Sequence, residues 1–470
     1  MIALTLGEIA RAVGGVLCLA GSNLTAESVI HGSVHTDSRE IVPGTIFVAK
    51  PGEFTDGHLF APTALEQGAA LLIVEHQLDL TVAQVVVPDV VVALGDLATE
   101  VVARVRALGR LKIVGVTGSN GKTTTKNLLR AALERVGPTV SSRASFNNAV
   151  GAPLTMLELT DDTEFLVSEM GASGIGDIAR LVHMARPDIG IVLKVGLAHA
   201  GEFGGIEATV RAKSEMVTEL LATDVAVLNA DDPLVAGMAD ATRARVVWFG
   251  LGGDASVRAS DVSATANGTT FTLHFASGER RPVAFRVLGE HHVMNALAAA
   301  ATAEVLGVPS DDIVAALESV HTAERWRMEV LGGRDGVTII NDAYNASPDS
   351  MTAALKTLAQ IRKPGQRTIA VLGEMSELGE LSGEEHDRIG LLAVRLNISQ
   401  LVVVGRAARR MHISTINEGS WDGESVYADT PDDAFELLRT SLKPGDTVLV
   451  KSSNSAGLRF LGDRLGDLYS

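Results

Sequence analysis

Hydrophobic and polar positions divide the middle of the chain into short apolar runs separated by longer amphipathic stretches. After residue 107, the runs "KIVGV", "FLVSEM", "IGIVLKV" and "VAVLNA" indicate buried strands, and helical patterns lie between them. Alternating strands and helices are typical of a parallel sheet with helices packed on its faces. The pattern therefore predicts an α/β domain in the middle of the chain.

The same alternation begins again after the alanine-rich helical stretch "LGEHHVMNALAAAATAEVLG". The runs "VTIIND", "RTIAVLGEM", "SQLVVVG" and "DTVLVKSS" predict strands, and helices are expected at Met351–Gln360, Glu384–Leu396 and Pro431–Leu442. This repetition predicts a second, smaller α/β domain of Rossmann-like type.

The first part of the chain mixes helix-like and strand-like pieces around a turn-rich centre, "TDSREIVPGTIFVAKPGEFTDGHLF". We therefore predict an α/β protein with an N-terminal, a central and a C-terminal domain. The predicted domains cover residues 1–107, 108–322 and 323–470.

Composition narrows the classes of protein that fit this pattern. The 470 residues are 46% hydrophobic and 21% charged, as in an ordinary globular protein with several cores. A net charge of −17, from 40 basic and 57 acidic residues, disfavours a general binder of nucleic acid or of acidic membranes. Cys18 is the only cysteine, which excludes an internal disulfide and a multi-cysteine metal site.

Targeting signals are not evident in the sequence. The stretch "MIALTLGEIARAVGG" lacks the basic start and the unbroken apolar run of a signal peptide. No apolar run approaches the roughly 20 residues that are needed to cross a bilayer. We therefore expect a cytoplasmic protein that is not inserted into a membrane.

The stretch "VGVTGSNGKTTTKNLL" carries the first candidate chemistry. It places a glycine-rich turn between a strand and a helix, so backbone N–H groups and the helix N-terminus would point at one spot and attract phosphate. Lys122 would supply positive charge and Thr123 a hydroxyl group for magnesium. A glycine turn with a chance Lys-Thr pair is the alternative. The GxGxxG fingerprint of dinucleotide sites is absent.

The spacing of this loop differs from the common P-loop, which has glycine five residues before the glycine of its GK pair. Val116 occupies that place here. Glu169 at the end of "FLVSEM", His199 after "IGIVLKV" and Lys213 in a predicted helix are further candidates. Taken singly, each is better explained as an ordinary surface or loop residue, and spacing alone assigns none of them a role.

Many motifs in one order resemble those of the Mur ligase family. They are "VTGSNGKTTTK", "NN" at Asn147–Asn148, "SEMGA", "AHAGEFGG", "AKSEM", "LNADD", "GEHHVMNALAA", "WRMEV" and "INDAYNASPDSM". The segment "TDSREIVPGTIFVAKPGEFTDGHLFAPTALEQGA" resembles the family's UDP-sugar-binding region, so the likeness covers nearly the whole chain. The family's loop is typically TG-(S/T)-(N/S)-GK-(T/S), which accounts for the unusual spacing.

The resemblance implies ATP and Mg²⁺ as cofactors and a role for each matching residue. Lys122, Lys213 and His199 would be catalytic, and Lys213 would carry a carbamate. The metal would be held by Thr123, Glu169, His199 and Lys213. ATP would contact Gly118, Ser119, Asn120, Gly121, Lys122, Thr123, Thr124, Asn295, Arg327 and Asp342. The UDP-muramoyl substrate would contact Ser38, Arg39, Asn147 and Asn148.

Within the family, "DAYNASPDSM" and "VLGEMSELGELSGEEH" point to the ligase that joins D-alanyl-D-alanine to UDP-N-acetylmuramoyl-tripeptide in peptidoglycan precursor synthesis. This ATP-dependent amide ligase would act through an acyl phosphate, as a monomer and without a nucleic-acid partner. A family ligase adding lysine or diaminopimelate is the nearest alternative, although the DNPR motif of the diaminopimelate ligase is missing. A P-loop kinase acting on a small metabolite and a non-catalytic nucleotide switch are alternatives from other classes.

Three places depart from the family's usual motifs. Asn454 in "KSSNSAGL" stands where arginine is common, Ser347 replaces the asparagine of "YNANP", and "HAGE" differs from histidine-x-glutamate. None of these departures lies in the phosphate loop.

Overall fold

The structure is a computed structural model that describes residues 1–19, 21–52, 55–143, 145–196, 205–265, 268–320, 324–418, 421 and 423–470. The helices are α1 (Leu6–Ala12), α2 (Ala61–Glu66), α3 (Val90–Ala107), α4 (Lys122–Leu133), α5 (Gly151–Met156), α6 (Asp177–Ala185), α7 (Ile206–Thr218), α8 (Pro233–Ala236), α9 (His291–Val305), α10 (Ser310–Ser319), α11 (Pro348–Gln360), α12 (Ser382–Arg395), α13 (Arg409–Ile416), α14 (Pro431–Ser441) and α15 (Leu458–Leu468).

The strands fall into a two-stranded pair and three larger sheets. They are β1 (Leu4–Thr5), β2 (Val16–Cys18), β3 (Val29–Ile30), β4 (Val34–His35), β5 (Ile46–Val48), β6 (Leu71–Val74), β7 (Ala83–Val86), β8 (Lys112–Thr117), β9 (Thr139–Ser141), β10 (Phe165–Glu169), β11 (Ile189–Val192), β12 (Val225–Asn229), β13 (Arg245–Gly250), β14 (Val257–Thr265), β15 (Gly268–His274), β16 (Arg280–Phe285), β17 (Glu329–Gly332), β18 (Thr338–Asn341), β19 (Thr368–Leu372), β20 (Gln400–Val404), β21 (Glu424–Ala428) and β22 (Thr447–Lys451).

The N-terminal part forms a sheet of order β2-β7-β6-β5-β4, beside the antiparallel pair of β1 and β3. Helix α3 connects this part to the next, because its buried side chains belong to a core that also contains Ile46 of β5 and Ile113 of β8. Asp89 caps the start of α3 by accepting hydrogen bonds from the N–H groups of Val91 and Val92. The first two segments of the chain therefore share one apolar core.

The central sheet has the order β16-β15-β14-β13-β12-β11-β8-β10-β9 and is parallel from β9 through the contact of β13 with β14. Strands β14, β15 and β16 pair with one another in an antiparallel manner, which the sequence analysis did not predict. Their residues alternate between buried and more exposed positions. Such alternation is typical of antiparallel strands with one face on the core and the other in water.

The C-terminal sheet has the order β17-β18-β22-β19-β20-β21, and only its edge strand β17 pairs in an antiparallel manner among the described residues. The predicted α/β fold class, with a mainly parallel central sheet and a Rossmann-like C-terminal part, is confirmed. The two boundaries between the three predicted domains remain predictions. Among the described residues, no helix is long and apolar enough to cross a membrane.

Pairing of the central strands gathers several loops at one edge. Thr117 at the end of β8 lies opposite Val192 at the end of β11, and Glu169 at the end of β10 lies opposite Val116. Loops that follow the carboxyl ends of parallel strands are the usual ligand sites of α/β sheets. The phosphate loop predicted from the sequence lies at this edge.

Candidate active site

The loop between β8 and α4 is shaped by two glycines with positive φ. Gly118 has φ +152° and Gly121 has φ +87°, a region in which residues with a Cβ are strained. A Cβ at Gly121 would also lie only 2.3 Å from Oδ1 of Asn295 in α9. Glycine therefore permits both the turn and the close approach of α9, and α4 begins directly afterwards at Lys122.

This loop forms one wall of a cavity of about 780 Å³ between the central and C-terminal segments. The opposite wall comes from the C-terminal segment. The polar and charged side chains that line it include Asn120, Lys122, Thr123, Asn147, Glu169, Lys194, Lys213, His291, His292, Asn295, Arg327, Asp342, Tyr344, Asp349 and Lys451.

Lys122 is a partly buried cation whose Nζ donates a hydrogen bond to the carbonyl oxygen of Gly118, at 2.7 Å. Burial in the cavity lowers the pKa of Lys122, an effect that nearby Glu169 opposes and Arg327 reinforces. The ammonium group is thus held beside the phosphate loop in a place where a bound anion would stabilise its charge.

Glu169 is almost fully buried, and both of its carboxylate oxygens are engaged. Oε2 accepts a hydrogen bond from the hydroxyl of Thr123 at 2.9 Å, and Oε1 accepts one from Nδ2 of Asn147 at 2.8 Å. A hydroxyl and a carboxylate at this distance are the oxygen ligands that Mg²⁺ prefers. One polar cluster is therefore formed by Glu169 of β10, Thr123 of α4 and Asn147.

Lys213 lies in α7 and is only 2% exposed, although lysine is rarely buried. Burial, reinforced by the charge of Lys122, lowers the pKa of Lys213 from 10.5 to about 7, and Glu215 partly opposes this shift. About half of its amine is therefore neutral near pH 7. The neutral amine is the form that can react with carbon dioxide.

Three buried nitrogen atoms in the cavity wall have no hydrogen-bond partner among the described residues. They are Nδ2 of Asn120, Nε2 of His292 and Nε of Arg327. The amide of Asn295 donates to Nδ1 of His292 at 3.1 Å, which assigns the proton of the neutral imidazole to Nε2. Burial lowers the pKa of His292 well below its ordinary value. All three atoms are thus donors, and Nε of Arg327 lies 3.8 Å from Oε2 of Glu324, which is too far for a hydrogen bond. A buried donor without a hydrogen bond is costly unless a ligand accepts from it.

The C-terminal wall is organised around Lys451 at the end of β22. Its Nζ donates to Oδ2 of Asp342 at 2.6 Å and to the carbonyl oxygen of Asn345 at 3.0 Å, and its side chain is 3% exposed. Oδ1 of Asp342 accepts the backbone N–H of Met328 at 3.1 Å. The ammonium of Lys451 is therefore paired within the C-terminal segment itself.

Three polar contacts cross the cavity from the C-terminal segment to the central one. Arg327 donates to the hydroxyl of Thr123 at 3.4 Å, and the hydroxyl of Ser347 donates to Oδ1 of Asn120 at 3.2 Å. Lys194, which follows β11, donates to Oδ1 of Asp349 at 3.2 Å. Contacts from the two sides thus meet at the phosphate loop.

The structure brings many of the candidate residues together and leaves others elsewhere. The cavity wall includes Ser119, Asn120, Gly121, Lys122, Thr123, Thr124, Asn147, Asn148, Glu169, Lys213, Asn295, Arg327 and Asp342. Ser38 and Arg39 lie outside this cavity, in a short turn where Arg39 pairs with Asp37 at 2.6 Å. His199 falls outside the described residues.

Sequence reasoning did not single out Lys194, His291, His292, Tyr344 or Lys451. A signal existed for two of them, because Lys194 follows β11 and Lys451 ends β22, where parallel sheets bind ligands. Burial lowers the pKa of His291 to about 4, so this neighbour of His292 is neutral at pH 7.

The four predicted metal ligands remain predictions. Thr123 and Glu169 are in contact and Lys213 lines the same cavity. Within the described ranges, no group of three His, Cys, Asp or Glu side chains could hold a metal ion by itself. A metal at Thr123 and Glu169 would therefore depend on ligands of other kinds, such as phosphate oxygens.

Three protein-family models together match most of the chain. Residues 30–112 match the model described as Mur ligase family, catalytic domain, and residues 116–303 match the Mur ligase middle domain. Residues 326–454 match the model described as Mur ligase, glutamate ligase domain. The three matches occur in the order of the three sheets.

Named relatives are similar along their whole length. The chain is 43% identical to the UDP-N-acetylmuramoyl-tripeptide--D-alanyl-D-alanine ligase of Mycobacterium tuberculosis, over 99% of this chain and 98% of the relative. It is 33% identical to the ligase of the same name from Escherichia coli, over 97% of each chain.

Solved structures give the same result. The crystal structure of MurF from Acinetobacter baumannii superposes with a TM-score of 0.88, at 31% identity and 99% coverage of each chain. MurF from Thermotoga maritima in complex with ADP superposes with a TM-score of 0.81, at 28% identity over 93% of this chain and 98% of the other.

Proposed function

Because this chain belongs to the Mur ligase family, we propose that it joins D-alanyl-D-alanine to UDP-N-acetylmuramoyl-tripeptide, with ATP as the energy source. The reaction forms a C–N bond in peptidoglycan precursor synthesis. Full-length relatives that carry this name support the substrates. The relative whose structure contains ADP supports the nucleotide.

The observation that carries the proposal is the donor-rich phosphate-loop wall. Lys122 lies at the loop, and a carboxylate–hydroxyl pair lies beside it. Asn120 and His292 on this wall, and Arg327 from the C-terminal segment, each present a buried N–H that makes no hydrogen bond among the described residues. A nucleotide supplies the acceptors that such donors lack, and its phosphates supply the negative charge.

The chemistry has two steps. A carboxylate oxygen of the tripeptide attacks the γ-phosphorus of ATP, and ADP leaves to give an acyl phosphate. The amine of D-alanyl-D-alanine then attacks the acyl carbon, loses a proton, and displaces inorganic phosphate. Lys122 and Arg327 would stabilise the charge that develops on the transferred phosphoryl group, so positioned charge can serve in place of a protein nucleophile.

Thr123 and Glu169 fit a magnesium ion, because their oxygens already meet at 2.9 Å beside the phosphate loop. Bound there, Mg²⁺ would neutralise phosphate charge and orient the γ-phosphoryl group. Lys213 would join its ligand sphere as a carbamate, which converts a cation into an oxygen ligand. The lowered pKa of Lys213 supports this reaction, since it makes the neutral amine available at pH 7. His199 remains a predicted ligand.

Substrate contacts are proposed for two regions. Asn147 would lie near the reacting carboxylate, since its amide reaches Glu169 in the cavity. Ser38 and Arg39 would bind the UDP-sugar end of the substrate outside the cavity. The side chain of Arg39 is 87% exposed, so a ligand can reach its guanidinium from solvent. Asp37 holds this guanidinium in an ion pair.

The test supplies UDP-muramoyl-tripeptide, ATP and Mg²⁺ together with D-alanyl-D-alanine, lysine or diaminopimelate in separate reactions. Product masses and phosphate release are measured together. We expect D-alanyl-D-alanine to be the preferred amine, with one phosphate released for each amide formed. Faster use of lysine or diaminopimelate would assign the chain to a neighbouring ligase, and a phosphorylated product without phosphate release would indicate a kinase.

A further inference from the structure

The backbone that carries Arg327 is strained on both sides. Trp326 has φ +61° and Met328 has φ +50°, and non-glycine residues rarely adopt this left-handed region. The N–H of Trp326 donates to Oε2 of Glu329 at 2.9 Å, and the N–H of Met328 donates to Oδ1 of Asp342 at 3.1 Å. Such strain persists only where the surroundings hold it, and it is common at functional sites.

A stack of side chains leads away from Arg327. Its guanidinium carbon lies 4.5 Å from the centre of the Tyr344 ring, within the range of a cation–π contact. The Tyr344 ring in turn stacks on Trp326, with ring centres 6.4 Å apart and planes inclined by 18°. The N–H of Tyr344 also donates to the carbonyl oxygen of Trp326 at 3.2 Å. The position of Arg327 is therefore coupled to the position of the indole ring.

Asp463 in α15 fixes that indole ring. Both carboxylate oxygens lie 3.0 Å from Nε1 of Trp326, which donates to them. Oδ1 also accepts from Nδ2 of the fully buried Asn341 at 2.9 Å, and Oδ2 accepts from Arg325 at 2.9 Å. The carboxylate thus has its own partners, and neither Trp326 nor Asp463 lines the cavity.

We propose that Trp326 and Asp463 are positioning residues for the ligation reaction. Through Tyr344 they hold the guanidinium of Arg327 against the phosphate loop, where its Nη2 lies 3.4 Å from the hydroxyl of Thr123. A cation that is already in place need not be reorganised as charge develops on the phosphoryl group. This inference rests on the proposed function, because it takes Arg327 to act on ATP phosphates.

The first experiment measures kcat and KM for ATP and the melting temperature in Trp326→Leu, Trp326→Phe and Asp463→Ala. We expect kcat/KM for ATP to fall about tenfold in Trp326→Leu and Asp463→Ala. Trp326→Phe keeps an aromatic face without the Nε1–H donor, so its loss should be smaller. Unchanged kcat/KM in the folded variants would overturn the proposal. The phenylalanine variant decides the question if the leucine variant does not fold.

The matched control is Asp432→Ala, which removes another carboxylate that binds α15, through Arg464 at 2.5 Å. The side chain of Asp432 is 81% exposed and binds Arg464, which is not a member of the stack, so the control should keep wild-type kcat/KM for ATP. An equal loss in the control would mean that any disturbance of α15 lowers activity, and the positioning role would be wrong.

A double-variant cycle separates positioning from general packing. In an Arg327→Ala background, Trp326→Leu should cause no further loss of kcat/KM for ATP, because its target is already missing. Multiplicative losses would overturn the positioning role, even if wild-type ligation is normal. A wild-type chain that does not join D-alanyl-D-alanine would instead overturn the proposed function, so the two failures are distinguishable.

Discussion

The lysine side chains on the two walls of the cavity differ in how their charges are stabilised. On the phosphate-loop wall, Lys122 binds a backbone carbonyl and Lys213 has its pKa lowered to about 7. On the C-terminal wall, Lys451 is bound by the carboxylate of Asp342 and by two carbonyl oxygens. The charge of Lys122 therefore gains stabilisation from a bound anion, whereas that of Lys451 is already paired with a carboxylate. Loss of Lys122 should mainly affect activity, and loss of the carboxylate that pairs with Lys451 should affect stability.

The largest expected effect is that of Lys122→Ala. Loss of the cation at the phosphate loop should lower kcat for ligation by at least 10²–10³-fold, on the order found for the loss of one transition-state donor. The fold should remain intact, because the loop glycines shape the turn. Phosphate release and circular dichroism measure the two outcomes.

Lys112→Ala is the matched control for Lys122→Ala, since Lys112 begins β8, the strand that leads into the loop, and its side chain is 54% exposed. The control should ligate at the wild-type rate. Near-normal ligation by Lys122→Ala would contradict the assignment of the phosphate loop.

Substitutions of Lys213 test whether this residue acts as a carbamate or as an ammonium group. We expect Lys213→Ala to lose most ligation activity and to recover part of it when bicarbonate or a short carboxylic acid is added. Lys213→Arg should also be inactive, because arginine keeps its positive charge and cannot form the same carbamate. Initial rates with and without the added acid are the measurement. Normal ligation by the arginine variant would make Lys213 a structural lysine only.

Asp342→Ala tests the ion pair between Asp342 and Lys451 on the C-terminal wall. Removing the carboxylate leaves the nearly buried Lys451 ammonium without its counter-charge, so the free energy of unfolding should fall by about 3 kcal/mol. The double variant Asp342→Asn/Lys451→Met removes both charges and should recover much of that loss. Urea unfolding curves measure both effects. If Asp342→Ala were as stable as the wild type, the charge of Lys451 would not depend on the carboxylate of Asp342.

The stability of the phosphate-loop wall should depend on pH through Lys213. Its pKa is about 7 in the folded chain and 10.5 ordinarily, so between these values the unfolded chain binds a proton that the folded chain lacks. The free energy of unfolding should therefore gain a positive contribution as pH rises from 7 towards 10.5. Below pH 7 the penalty for burying the ammonium is fully present.

Lys213→Met removes this contribution. In carbon dioxide-free buffer, its stability advantage over the wild type should be largest near pH 7 and should narrow by pH 9.5. Urea unfolding at several pH values measures the difference. Parallel curves for the two proteins would contradict the lowered pKa.

The smallest expected effect is that of Lys194→Ala on stability. The Lys194–Asp349 pair joins the two walls, but its side chains are 47% and 33% exposed. Exposed pairs contribute about 0–1 kcal/mol, so the melting temperature should barely change. A loss comparable with that of Asp342→Ala would show that the two segments are held together mainly by this pair.

Contiguous patterns in the sequence predicted the α/β class, the repeated strand–helix units and the phosphate loop. They did so because a strand, a glycine turn and a helix N-terminus within residues 112–133 need only local conformation to create an anion site. The antiparallel pairing of β14–β16 was missed, because these strands mix buried and exposed residues and lack the continuous apolar runs of the buried parallel strands.

Tertiary structure alone decided which distant residues come into contact and how burial changes their pKa values. Arg327 reaches Thr123 across 204 positions of sequence, and the stack from Tyr344 to Asp463 joins three separate segments. Likewise, nothing in "RAKSEM" indicates that Lys213 is buried. Its lowered pKa arises from desolvation and from the nearby charge of Lys122, which depend on how elements pack and not on residue order.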